Sequence, residues 1–315
     1  MSESVSSEYY ETVEIHDRLF QRYSIEHNIY CVPVDEEEED RLETQHRILH
    51  QLFDQRLFFP PISYPLQVLD CGYGRGSWAL AMAQTYYQSK HAAREPRADL
   101  FVRKVTAVDI FPADVDDQPE NLDFEVWDLN QTLTPTYNPN HYDLIHSRFV
   151  APGIKRDRWP SYVRDLARLL KRNGWVQLVE YYYIIQSDSG LLTDNHALQQ
   201  WGNAYRQCME GERDPRIGRR LPELLRNAGL VDVQEQSFRM PIGGWPTDAR
   251  QRGIGVQNQQ NIGAMLESHA LYPFTRRFGW TKDQVASLAQ RAQQETNDPR
   301  LRLYIPLVVA WGRKR

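Results

Sequence analysis

An acid followed by three glycines at alternate positions, Asp70-Cys71-Gly72-Tyr73-Gly74-Arg75-Gly76, closes the apolar run Val68-Leu69. A helix-compatible stretch, Trp78 to Gln88, follows at once. Buried strand, tight turn and helix start together make the geometry of a nucleotide-binding crevice at strand C-termini. Glycine lets the backbone approach a ligand and reach positive φ without a Cβ penalty. A dinucleotide fingerprint, G-x-G-x-x-G, would require glycine at position 77. The residue there is Ser77, so the loop is read as holding a nucleotide of another kind.

Two further acids end apolar runs. Asp109 follows Val105-Thr106-Ala107-Val108, and Asp128 follows Phe124-Glu125-Val126-Trp127. Asp109 is placed to accept from the two vicinal hydroxyls of a ribose, a charge-assisted bidentate pair; its other reading is a solvated loop acid. Asp128 is placed to accept from the exocyclic amine of adenine, with Leu129 against the ring; its other reading is a cap or turn acid. Three acids at three successive strand ends carry more weight together than singly. Candidates for proton transfer are His146, in Tyr142-Asp143-Leu144-Ile145-His146-Ser147-Arg148-Phe149, and His196. Each histidine has an alternative, structural for His146 and helix-surface for His196. Glu180 is read as a base or, preferably, as a buried hydrogen-bonded acid.

These side chains meet only if the elements carrying them form one sheet. From residue 66 strands and helices alternate, which implies a mainly parallel sheet covered on both faces. Strands are expected at 67–71, 105–110, 123–127, 142–147, 174–182, 231–239 and 302–311. Helices are expected at 76–90, 158–171, 194–210 and 219–228, with Asn173-Gly174 as a helix stop. The polar segment 88–104, with Pro96, reads as a surface insertion. Residues 1–34, rich in aromatics, read as short packed helices. Asp35 is a candidate N-cap with Glu38 three residues on, and its acid run suits a helix N-terminus. Pro60-Pro61 end that helix. The regions are therefore a helical lid over 1–62, a ligand-binding α/β core over 63–183 and a helical substrate cover over 184–230. Two last strands, with a helical insertion at about 244–300, fill 231–315.

The chain has 315 residues, 41% hydrophobic and 25% charged, an ordinary globular composition with room for one core and an appendage. No run approaches the roughly 20 apolar residues of a membrane span. The start, Met1 to Glu11, is polar and acidic, unlike a secretory or transit leader. Cys31, Cys71 and Cys208 have no metal-type spacing and no even framework, which points to a reducing compartment and to no structural zinc. A net charge of −5 argues against nucleic-acid binding. The basic end Gly312-Arg313-Lys314-Arg315 reads as a solvated terminus rather than a targeting tail.

The glycine loop pattern D-x-G-x-G-x-G is similar to the first motif of class I S-adenosylmethionine (SAM) methyltransferases. Over residues from about 20 to the end, the chain resembles the fungal LaeA-like methyltransferases. The blocks that carry the likeness include Asp35-Glu36-Glu37-Glu38, Arg41-Leu42-Glu43-Thr44-Gln45-His46 and Leu57-Phe58-Phe59-Pro60-Pro61-Ile62. They continue with the glycine loop, Tyr142 to Phe149, Leu170 to Glu180, Ala228 to Val233, Tyr272-Pro273-Phe274-Thr275-Arg276 and Gly279-Trp280-Thr281. Tyr73 and Arg75 stand where the family commonly has small residues. The resemblance implies a Rossmann-like seven-stranded class I sheet with an N-terminal helical lid and a helical insertion before the last strand. It implies SAM as cofactor and S-adenosylhomocysteine as product. Asp70 would receive the cofactor's ammonium, and contacts are expected from Tyr23, Gly72, Tyr73, Gly74, Gly76, Asp109, Ile110, Asp128, Leu129 and Ser147, with no metal.

The family holds a nuclear regulator of secondary metabolism and natural-product enzymes, some of which methylate hydroxyls of N-hydroxyindole alkaloids of the meleagrin and oxaline type. An intact glycine loop, the strand-end acids and a lid rich in Tyr, Trp and Phe place the chain nearer the enzymes. The expected function is methyl transfer to a hydroxyl of a small aromatic or alkaloid substrate by in-line displacement, with N-methylation open. Holding the reactants in line supplies roughly 7–11 kcal/mol of such a barrier, and a base adds about 10²–10⁴-fold. The regulator, and a SAM-fold enzyme that transfers no methyl, are the alternatives. Neither nucleic acid nor membrane is an expected partner. The location is expected to be cytoplasmic, with the nucleus open, as is the oligomeric state.

Overall fold

The computed structural model describes residues 6–92, 102–112 and 118–315. In chain order the strands are β1 Thr12–Ile15, β2 Arg18–Gln21, β3 Gln67–Cys71, β4 Lys104–Asp109, β5 Leu122–Val126, β6 Tyr142–Arg148, β7 Leu170–Tyr181, β8 Gln186–Ser187, β9 Val231–Pro241 and β10 Leu303–Arg313. The α-helices are α1 Arg22–Glu26, α2 Glu36–Leu52, α3 Ser77–Ala92, α4 Trp159–Leu169, α5 Ala197–Met209, α6 Leu221–Asn227, α7 Ala249–Ser268, α8 Leu271–Phe278 and α9 Lys282–Glu295.

Seven long strands form one α/β sheet in the order β5-β4-β3-β6-β7-β10-β9, with the two-residue β8 paired to the start of β10. β5 through β7 run parallel, and β10 runs antiparallel to both β7 and β9. The parallel strands are short apolar runs because helices cover both faces; in β3 all but Gln67 are buried. From β3 the chain steps outward to β4 and β5, then crosses back to lay β6 on the other side of β3. That reversal is a topological switch point, and the crevice of an open α/β sheet lies outside the strand C-termini there.

The lid shares the sheet's core. Ile48 and Leu49 of α2, and Met265 and Leu266 of α7, belong to the same buried cluster as Val68, Leu144 and Val176. α2 packs on α7, which packs in turn on α9 and β9. α2 begins where Asp35 accepts from the Glu38 N–H, and four glutamates occupy its first turn at the positive end of the helix dipole.

Three expectations need correction. Residues 12–21 form a β-hairpin rather than a helix, with His16 and Asp17 both at positive φ in its turn. The exposure of Thr12 to Ile15 alternates with period two, the strand pattern that the density of aromatics hides. Helix α3 runs past Gln88 to Ala92, and residues 93–101 of the expected surface insertion lie outside the described residues. α4 ends at Leu169, so Asn173-Gly174 is no helix stop. It sits where the β6–β7 register shifts, with Asn173 at a φ of 65°.

Candidate functional site

The glycine loop joins β3 to α3 at the switch point. Gly72 has a φ of +80°, and a Cβ there would lie 2.3 Å from Val150 Cγ1, so the loop after β6 presses directly on the glycine backbone. Asp70 is 2% exposed and its Oδ2 has no hydrogen-bond partner. Burial pushes its carboxyl up to about 7; the Arg148 guanidinium opposes this and Asp109 adds to it. Asp109 accepts from the N–H groups of Gly74 (2.9 Å), Ile110 (2.7 Å) and Phe111 (3.3 Å). Burial still holds its carboxyl above the ordinary range. The carboxylate thus ties the end of β4 to the glycine loop. Tyr73 donates to the Phe111 carbonyl at 3.3 Å and meets Phe124 edge to face. Asp128 Oδ1 accepts from the backbone and side-chain nitrogens of Asn130, each at 2.8 Å. Asn130 also donates to the Gly153 carbonyl at 3.0 Å, fastening the β5 end to the loop after β6.

One cavity runs along these strand ends. Its lining includes Gly72, Tyr73, Gly74, Asp109, Ile110, Asp128 and Leu129. Tyr30, Pro33 and Val34, with Glu38, Glu39, Leu42 and Gln45 of α2, close it from the lid, and Arg148, Phe149 and Val150 from β6. The lid grips the loop through Arg75–Glu39 at 2.7 Å and Ser77–Glu43 at 2.8 Å. Behind it Arg41 holds Glu38 (2.7 Å), Gln45 (2.6 Å) and Asn261 of α7 (3.0 Å) in a buried network. Gln21, at the end of the hairpin, donates to the Ile110 carbonyl at 2.9 Å.

The proton-transfer candidates are placed elsewhere. His146 is 2% exposed, stacked on Trp78 with ring centroids 4.0 Å apart, and within 3.2 Å of the Gln177 amide. Burial drives its pKa well below the ordinary value, so the imidazole is neutral. His196 caps α5, its Nδ1 accepting from the Thr193 N–H at 3.0 Å. Glu180 accepts from the N–H groups of Val150 (2.8 Å) and Ala151 (3.2 Å) through Oε1, while Oε2 has no partner. Burial pushes that carboxyl well up. None of the three lines the cavity. Glu180 nevertheless shapes its wall by fixing the loop after β6. Ser147 faces the opposite side of the sheet, 2.9 Å from the Tyr162 hydroxyl. Tyr23 stacks on His27 and beside Tyr9 and is outside the lining, whereas Tyr30 is within it.

Sequence reasoning missed Arg148, Phe149 and the polar face of α2. Phe149 carries a φ of 56°, uncommon for a bulky side chain and characteristic of strained functional sites. Its N–H bonds the Val179 carbonyl at 2.9 Å and its ring stacks on Tyr181 at 4.3 Å, which holds the conformation. No local signal marks this residue beyond its position at a strand end.

The chain is similar to known proteins as follows. The Methyltransferase domain family matches residues 44–235. The methyltransferase pytC of Aspergillus terreus is 28% identical over 286 residues, covering 87% of this chain and 83% of that protein. The secondary metabolism regulator laeA of Aspergillus fumigatus is 27% identical over 301 residues, covering 91% and 73%. A solved structure of Haemonchus contortus phosphoethanolamine N-methyltransferase 2, with phosphomonomethylethanolamine and S-adenosylhomocysteine, aligns with a TM-score of 0.49 and 16% identity. That alignment spans 86% of this chain and 53%, about half, of the other.

Proposed function

The chain belongs to the Methyltransferase domain family, and from that premise we propose that it methylates a hydroxyl oxygen of a small aromatic or alkaloid substrate in fungal secondary metabolism. The coarser part, SAM-dependent methyl transfer, follows from the family; the oxygen acceptor and its aromatic character are the proposal. The observation that carries it is the cavity that joins the glycine loop, the strand-end acids Asp109 and Asp128, the lid and the rings of Tyr30, Tyr73, Phe111, Trp127 and Phe149.

The residues present fit the cofactor. Asp70 Oδ2 is an orphaned buried oxygen, suited to an ammonium. Gly72 leaves a cradle that any side chain would close, since its Cβ would collide with Val150. Asp109 and Asp128 stand at the next two strand ends, placed for ribose hydroxyls and the adenine amine, with Leu129 and Ile110 as apolar walls. Bound there, SAM supplies a methyl activated on a sulfonium, and S-adenosylhomocysteine is the product.

The chain's own part is to bind, orient and exclude water. α2 covers the cavity, and the Arg75–Glu39 and Ser77–Glu43 contacts hold it shut over the loop. Phe149 and Val150 form the wall toward the β6 end, and Tyr30, Tyr73, Phe111 and Trp127 also line the cavity. Aromatic rings around a cavity favour a flat apolar acceptor. His146, His196 and Glu180 lie off the cavity lining, so an acidic hydroxyl, which ionises without a strong base, is the acceptor that suits this site. A cytoplasmic location is part of the same proposal.

The similarity to laeA favours a second reading, a regulator acting through protein partners. Purified protein, methyl-labelled SAM and an extract of a producing fungus separate the two. Label in an organic-extractable small molecule is expected, and its mass names the acceptor. Label confined to protein, or none despite cofactor binding, would reject the proposal in favour of the regulator or of a fold that keeps its methyl.

A further inference from the structure

Resting on the cofactor reading above, we propose that Arg148 is the side chain that receives the α-carboxylate of the cofactor, beside the Asp70 that takes its α-ammonium. Arg148 is the last residue of β6, one position past Ser147, which pairs with Cys71; it therefore stands next to Gly72 and lines the cavity. A guanidinium offers five N–H donors. Among the described residues its one side-chain hydrogen-bond partner is His46 Nδ1, at 3.4 Å, and no carboxylate lies within ion-pair distance. Charges removed from water are costly unless paired. Burial lowers the pKa of Arg148, and the nearby Asp70, Tyr181 and Glu43 only offset this.

The unmet acceptor Asp70 and the unmet donor Arg148 are opposite charges that do not close on each other. A ligand bearing an ammonium and a carboxylate on one carbon satisfies both. The strand order assigns that end of the ligand here rather than elsewhere. Asp128 follows β5, Asp109 ends β4, and Asp70 and Arg148 sit near the ends of the adjoining β3 and β6. The edge thus presents adenine, ribose and amino-acid subsites in the order in which the cofactor's parts are bonded. His46 acts as a positioning residue. Burial, with Arg148 beside it, brings its pKa down to about 3, so a neutral ring accepts from the guanidinium and fixes its direction.

Calorimetric titration of the wild-type chain with SAM and with decarboxylated SAM tests the assignment without any variant. SAM is expected to bind roughly 10–100-fold more tightly, the difference a charge-assisted pair makes. Arg148→Met is expected to erase that ratio by weakening SAM alone, and Arg148→Lys to restore part of it. Equal affinity of the wild type for both compounds would overturn the assignment and leave the guanidinium to an anionic acceptor. A ratio unchanged in Arg148→Met would overturn it as well. Binding of neither compound would overturn the cofactor reading itself and this inference with it.

Discussion

On the proposed cofactor reading, Asp70 takes the ligand's ammonium and sets the pH dependence of its binding. Its folded pKa, about 7, lies above the ordinary 3.8 because burial penalises the charged form. Between those values the folded chain keeps a proton that the unfolded chain has released. Stability therefore falls as pH rises through that window and levels off above it. A ligand ammonium favours the carboxylate, so cofactor uptake releases a proton and affinity falls as pH drops below about 7. Glu180, also raised by burial, contributes to apo stability in the same sense, so the difference between wild type and Asp70→Asn isolates the Asp70 share. We expect Asp70→Asn to lessen the fall of urea-melt stability across this window, with Glu180, Asp109 and Glu125 keeping their own shares. It should also abolish proton release on SAM binding, read by calorimetry in buffers of different ionisation heat. A wild type that releases no proton near neutral pH would contradict this account.

At the level of elements, α2 is the unusual one. Its buried face follows the spacing of an amphipathic helix, yet Glu38, Arg41 and Gln45 occupy that face with Ile48, Leu49 and Leu52. The charges are tolerated because Arg41 binds Glu38 through both of its nitrogens within reach and adds Gln45 and Asn261. Removing one partner leaves the other as an uncompensated buried charge, a loss of about 3–5 kcal/mol. Glu38→Ala is expected to lower unfolding free energy by about that much in denaturant titrations. The double variant Glu38→Ala/Arg41→Met should recover most of it, since it leaves no orphaned charge. A Glu38→Ala cost below about 1 kcal/mol would show that apolar contacts alone hold the lid to α7.

For the whole molecule, lid and sheet share one core but meet at the cavity through few polar contacts. Ligand binding stabilises whatever it bridges, by about 2.7 kcal/mol at a hundredfold excess over Kd. SAM should therefore slow hydrogen exchange in residues 29–45 of the lid and 148–154 after β6. The β9 edge, whose outer residues are largely exposed and remote from the cavity lining, should exchange as before. Slowing confined to the glycine loop, with the lid unchanged, would mean that α2 does not close on the ligand. The same experiment reports on the Arg75–Glu39 contact, which high salt should weaken because both side chains are part exposed.

The sheet was legible in the residues because its signals are local. Each parallel strand is a short apolar run, with Asp70 one residue before the end of β3, Asp109 at the end of β4 and Asp128 just after β5, and all seven long strands lie close to where the pattern puts them. The glycine loop is likewise a local signal, and Gly72 and Gly74 line the cavity at the switch point. What the residues alone could not decide is the face each side chain takes. His146, Ser147 and Arg148 are consecutive in a strand of period two. Pairing of β6 with β3 and β7 sends Ser147 to Tyr162, His146 into the core against Trp78, and Arg148 to the cavity. Nor could the acid run at 35–40 announce a buried Glu38, because the Asn261 that completes its network is 220 residues from Arg41. Sequence determined the strands of the main sheet, its covering helices and the glycine loop, since those depend on neighbouring residues. Tertiary structure decided which charges are buried, paired or left open, since that depends on strands and helices brought together from distant parts of the chain.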